Sequence, residues 1–153
     1  MILGVLAEYG LPPDLKGDDS DLDDVESFYR DRGGRFELLV SSDGAVLGTV
    51  GLLPLADGAC ELRKMYFRPE LRGNGWGKAV LDRMIRAAIE DGYRVMQLKT
   101  ATVLVEAIGL YERFGFQPAT PGAAPRCDRA FVLMLSDYIA PELVPVELHE
   151  IEQ

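Results

Sequence analysis

The run Pro69-Glu70-Leu71-Arg72-Gly73-Asn74-Gly75-Trp76-Gly77-Lys78 has the make-up of an anion site. Glycines at 73, 75 and 77 let the backbone curl with its N–H groups turned inward, and no Cβ blocks an approaching ligand. The apolar periodicity beginning just after the loop predicts a helix. Its unpaired N–H groups and positive dipole end would point at the same place. A phosphate or pyrophosphate suits such a cradle. Two common nucleotide loops do not fit. A P-loop needs Gly where Arg72 stands and Ser or Thr where Ala79 stands. A dinucleotide fingerprint starting at Gly73 needs Gly in place of Lys78 and a βαβ unit opening the chain.

The rest of the inventory narrows the chemistry. Cys60 and Cys127 lack CxxC spacing, and the only histidine, His149, lies near the end of the sequence. Neither a structural zinc site nor a Cys–His nucleophile pair is expected, so no metal is expected. Cys127 reads as a small packed residue rather than a nucleophile.

The elements that would position the loop follow from periodicity. Ile2 to Tyr9 suits a short helix ending near Gly10 and stopped by Pro12-Pro13. Carboxylates at Asp18 to Asp24 precede Val25, Phe28 and Tyr29, predicting a second helix closed by Gly33-Gly34. Phe36 to Val40, the Asp43-Gly44 turn and Val46 to Leu53 form a hairpin, and Cys60 to Phe67 adds a third strand. From Gly75 the period becomes that of a helix, with Val80, Leu81, Met84, Ile85, Ala88 and Ile89 on one buried stripe. A strand over Tyr93 to Thr100, a helix from Val103 to Phe114, a short strand at Phe116 and a strand over Ala130 to Leu135 complete the core, with a Pro/Gly loop (Pro118 to Pro125) between the last two.

The spacing Arg-x-x-Gly-x-Gly, as Arg72, Gly75 and Gly77, resembles the signature of the GNAT N-acetyltransferase superfamily. Leu110-Tyr111-Glu112-Arg113-Phe114-Gly115-Phe116, preceded by Ala107-Ile108, resembles that family's second signature. Met65-Tyr66-Phe67 resembles the strand whose backbone pairs with the pantetheine arm. The resemblance spans roughly Phe36 to Leu135. It implies an α/β GNAT fold: a mixed, mostly antiparallel sheet with helices on both faces, splayed between the strands ending near Phe67 and Thr100. The family's usual first strand is missing, since the sequence opens on the helix. Residues 1–136 would form one domain and 137–153 an acidic tail. Val144, Val146 and Leu148 in that tail alternate and could supply an edge strand, within the molecule or to a dimer mate; a solvated tail is the alternative.

The resemblance also implies roles. Acetyl-CoA would be the co-substrate. Met65, Tyr66 and Phe67 would hold its pantetheine, and Arg72, Gly73, Asn74, Gly75, Trp76, Gly77 and Lys78 its pyrophosphate. Relatives often carry Asn where Leu104 stands; Thr100 or Thr102 could replace that coenzyme contact, or Thr102 could cap the helix. Tyr111 is the expected acid for the departing thiolate, or else a packed core ring. Glu61 is the expected base, or else a substrate-positioning or ordinary strand residue. The Phe67 N–H would stabilise the oxyanion.

The expected activity is acetylation of a small-molecule amine by direct attack. A protein or peptide amine, or a non-catalytic acyl-CoA sensor, are the alternatives. The net charge of −9 argues against nucleic acid as partner. It either attracts a cationic acceptor or only keeps the chain soluble, and the acidic run at Asp18 to Asp24 poses the same choice between drawing in amines and capping a solvated helix. No run of about 18 apolar residues occurs, so no membrane association is expected, and a cytoplasmic location is the default.

Overall fold

A computed structural model of the chain describes residues 1–11, 19–121, 127–143 and 151–152. Two short helices come first, α1 (Ile2–Glu8) and α2 (Val25–Asp31). The strands β1 (Arg35–Ser41), β2 (Val46–Pro54) and β3 (Ala59–Phe67) follow as an antiparallel meander. Helix α3 (Trp76–Glu90) then leads to β4 (Val95–Thr100), α4 (Val105–Arg113), β5 (Gln117–Ala119) and β6 (Arg129–Met134). Ile151–Glu152 forms a two-residue strand, β7, beside Val40 and Ser41 of β1. The sheet order is β5-β6-β4-β3-β2-β1-β7.

Local chemistry explains most boundaries. Asp24 caps α2, its carboxylate accepting from the Ser27 N–H at 3.1 Å. Gly44 takes a left-handed φ of 89° in the turn from β1 to β2. Along α3, Val80, Leu81, Met84, Ile85 and Ala88 are buried against Cys60 and Leu62 of β3, Met96 and Leu98 of β4, and Phe131 of β6. The expected stripe ends one residue early, because Ile89 is exposed. Helix α4 also starts later than its apolar pattern suggests, and Val103 precedes it on the surface. Pro118 belongs to β5, an edge strand, where a missing N–H costs no ladder bond.

The other face of the sheet carries α2, whose Tyr29 ring lies over Gly51 of β2. A Cβ on Gly51 would meet that ring at 2.9 Å, so only glycine admits it. Helices therefore cover both faces. β3 and β4 run parallel but pair only over three residues, Ala59 to Glu61 against Val95 to Gln97. Beyond Glu61 and Gln97 they diverge, and the sheet opens as a fork. The tail residues Val144, Val146 and Leu148 lie outside the described residues; the strand seen beside β1 is Ile151–Glu152.

Candidate active site

The fork is the mouth of a cleft of about 760 Å³, bordered by β3, β4, the glycine loop and α4. This is the size range of a small-molecule or cofactor site. At the loop end, Gly73 and Gly75 adopt φ of 80° and 85°. A Cβ on Gly73 would meet nothing within 4 Å, so the cradle is open there. Gly75 is the N-cap of α3 and, being glycine, offers no side chain to cap this helix end. Its first N–H groups and dipole are thus left for an anionic ligand, and the loop fits a pyrophosphate.

Met65, Tyr66, Phe67, Arg72, Gly73, Asn74, Gly75, Trp76, Gly77 and Lys78 all border the cleft, as do Glu61 and Tyr111. Their individual placements differ. The Trp76 ring is part of the core, so its offering to a ligand is its backbone N–H. Asn74 folds back on the loop, its amide donating to the carbonyls of Glu70 and Arg72. The Arg72 guanidinium is held by Glu8 of α1 at 2.7 Å and donates to the Phe67 carbonyl at 3.0 and 2.8 Å. It fastens α1 and the end of β3 to the loop. Thr102 is not among the cleft residues. Its N–H and hydroxyl both bond to the Asp128 carboxylate, at 2.8 and 2.7 Å, and it does not cap α4, whose N-cap is Leu104. Leu104, Thr100 and Cys127 do border the cleft.

Tyr111 belongs both to the core and to the cleft lining. Its ring packs against Phe116 and Phe131, at centroid distances of 5.7 and 6.2 Å, while the residue forms part of the cleft wall. Burial raises its phenol pKa far above the ordinary value, with the neighbouring Tyr66 adding to the effect. The hydroxyl therefore stays protonated throughout the neutral range. Glu61 points from β3 toward the α2 face and its carboxylate meets Arg63 at 3.2 Å. Cys60 faces the core instead, its thiol pushed up to about 12 by burial, and is no nucleophile.

Sequence reasoning missed a buried charge cluster beside Glu61. Arg63 pairs with Gly51 and Tyr66 with Thr49, so Lys64 and Met65 together oppose Val50 in a β-bulge. Lys64 takes the left-handed conformation, φ 53°. That turn sends its ammonium to Asp19 (3.2 Å) and Asp21 (3.3 Å), both fully buried. Tyr29 donates to the second oxygen of Asp21 at 2.5 Å, and Thr49 donates to the Lys64 carbonyl. The expectation that the acidic run is solvated or attracts amines fails at these two positions: they are internal counterions that pin the loop before α2 to the bulge. The signal was present in Glu61-Leu62-Arg63-Lys64. Strict alternation would have put Lys64 in the core beside Leu62, and a bulge is how a strand avoids that.

With the fork, loop and cleft described, the class of protein follows. The Acetyltransferase (GNAT) family model matches residues 6–116, and the chain belongs to that family. It is 39% identical over 123 residues to an Escherichia coli (strain K12) protein described as uncharacterized N-acetyltransferase YjgM, covering 76% of this chain and 72% of that one. A Staphylococcus aureus Mu50 acetyltransferase of the GNAT family superposes with TM-score 0.80 at 25% identity, covering 88% of both chains. A Bacillus subtilis acetyltransferase solved in complex with CoA shares the fold, with TM-score 0.60 at 19% identity over 78% of this chain and 87% of that one.

Proposed function

We propose that the protein transfers the acetyl group of acetyl-CoA to the amine of a small molecule by direct attack. One observation carries this reading: the open glycine loop, the diverging strands, Glu61 and Tyr111 border a single cleft. The coenzyme bound by the structurally similar Bacillus subtilis acetyltransferase supports the same donor here. Loop N–H groups from Gly73 to Lys78 hold the pyrophosphate, and the Met65 to Phe67 backbone lines the pantetheine. Glu61 takes a proton from the acceptor ammonium. The freed nitrogen attacks the thioester carbonyl carbon, whose developing oxyanion is stabilised by the Phe67 N–H. The C–S bond breaks as the nitrogen gives up its second proton to solvent, and the thiolate takes the Tyr111 proton, which solvent restores. The balance is an amide, a free thiol and the proton released from the ammonium.

The test is thiol release from saturating acetyl-CoA over a panel of small amines. Amine-dependent release with formation of the N-acetyl product is the expected result. Binding of acetyl-CoA without release for any amine would turn the reading toward a non-catalytic sensor.

A further inference from the structure

The chain carries a net charge of −9, yet its cleft has the opposite sign. Among the described residues it is lined by six basic side chains (Arg63, Lys64, Arg72, Lys78, Lys99 and Arg113) and two acidic ones, Glu61 and Glu106. Lys64 is balanced by Asp19 and Asp21, and Arg72 is held by Glu8. Lys78 and Arg113 belong to α3 and α4 rather than to the strands of the fork. Arg63 and Lys99 stand on the strands of the fork themselves, and topology puts them on the two sides of its opening. Glu61 and Gln97 are the last paired residues of β3 and β4. Two residues further on each strand bring Arg63 and Lys99 to the same face, one on each side of the opening. The burial pattern agrees: Leu62 and Leu98 turn into the core, while Arg63 is half-buried and Lys99 exposed. Lys99 makes no ion pair among the described residues, and Arg63 meets Glu61 at 3.2 Å and Asp21 at 3.8 Å.

Resting on the acetyltransferase reading above, we propose that the acceptor is a free α-amino acid, whose carboxylate lies between Arg63 and Lys99 and whose amine lies at Glu61. A diamine or polyamine would bring a second cation toward Arg63 and Lys99. A zwitterion matches the pattern. Its carboxylate accepts from the planar Arg63 fork and from Lys99, and its ammonium replaces Arg63 as the partner of Glu61. Glu61 and Arg63 are same-face neighbours on a strand, about 6.6 Å apart along it, a separation their side chains close over one amino-acid headgroup. The acetyl group passes from the coenzyme sulfur to the amino nitrogen, giving an N-acetylamino acid and the free thiol.

The experiment compares each of several L-amino acids with its α-amide and its decarboxylated amine, by thiol release at saturating acetyl-CoA. We expect kcat/KM for the amino acid to exceed that of both analogues by tenfold or more, mainly through KM. Lys99→Gln, at an exposed position, should shrink that preference several-fold, and Lys99→Glu should invert it toward the decarboxylated amine. Arg63→Gln should also erase the preference if it folds; the Lys99 variants decide the matter if it does not. Equal or better turnover of amides or amines by wild type, or a preference unmoved by Lys99→Glu, overturns the proposal and leaves acetyl transfer standing. Absence of any acetyl-CoA-induced change in melting temperature would instead overturn the acetyltransferase reading itself.

Discussion

The two ends of the cleft are built from different materials. The proposed coenzyme end is backbone: left-handed glycines at 73 and 75, the second of them the N-cap of α3. The proposed acceptor end is side-chain charge: Glu61 and Arg63 above a buried lattice of Lys64, Asp19, Asp21 and Tyr29. A backbone site tolerates change in the side chains around it and binds any ligand with the right phosphate geometry. A charge lattice depends on the side chains themselves, and each member leaves an uncompensated partner when removed. On the proposed function, the first recognises the donor and the second the acceptor.

The sharpest way to break this contrast is Lys64→Met. Two buried carboxylates would lose their ammonium, and we expect a loss of about 3–5 kcal/mol in urea unfolding. A loss under about 1 kcal/mol would mean that Asp19 and Asp21 find solvent in the folded state. Next comes Tyr111→Phe, which removes a donor but keeps the ring in its packing with Phe116 and Phe131. A fall in kcat of about 100-fold with acetyl-CoA affinity retained is expected; unchanged turnover would remove Tyr111 as the acid. At the coenzyme end, Gly75→Ala puts a Cβ on a residue with φ 85° and should cost about 1–2 kcal/mol while raising the KM for acetyl-CoA and not the acceptor selectivity. Altered acceptor ratios in that variant would show that the two ends are not separable.

The smallest effect is an alkaline one. Burial, with a further contribution from the hydrogen bond to Asp21, raises the Tyr29 phenol well above its ordinary value, and burial raises Tyr111 likewise. The folded state thus keeps protons that the unfolded state gives up above about pH 10. The stabilisation is fully present below that pH and is lost as pH rises beyond it. Urea midpoints should be level through the neutral range and decline above about pH 10, with a shallower decline in Tyr29→Phe. A decline of equal slope in that variant would assign the effect to other groups.

The same contrast explains what could be read from the sequence. Gly73 to Lys78 and Leu110 to Phe116 are contiguous, so the anion cradle was legible from the loop's own residues, and the fold from the resemblance of both segments to the family's signatures. The strands and helices were placed to within a few residues because their apolar periods are local. The acceptor wall is assembled across distance: Asp19 and Asp21 meet Lys64 only because the chain between them folds as a helix and a hairpin. Nothing in the acidic run separates an internal counterion from a solvated carboxylate. Thr102 shows the same limit at the other end. Its hydroxyl could have faced the coenzyme, but Asp128, brought in by β6, claims it. Lys99 became notable only once the register of β4 against β3 placed it across from Arg63.

The central claim, that the fork holds acetyl-CoA, is tested most directly by thermal unfolding with and without that ligand. At a hundred times its Kd, acetyl-CoA should stabilise the fold by about 2.7 kcal/mol. For a chain of this size that raises the melting temperature by about 5–10 °C. A melting temperature unmoved by millimolar acetyl-CoA would contradict the account.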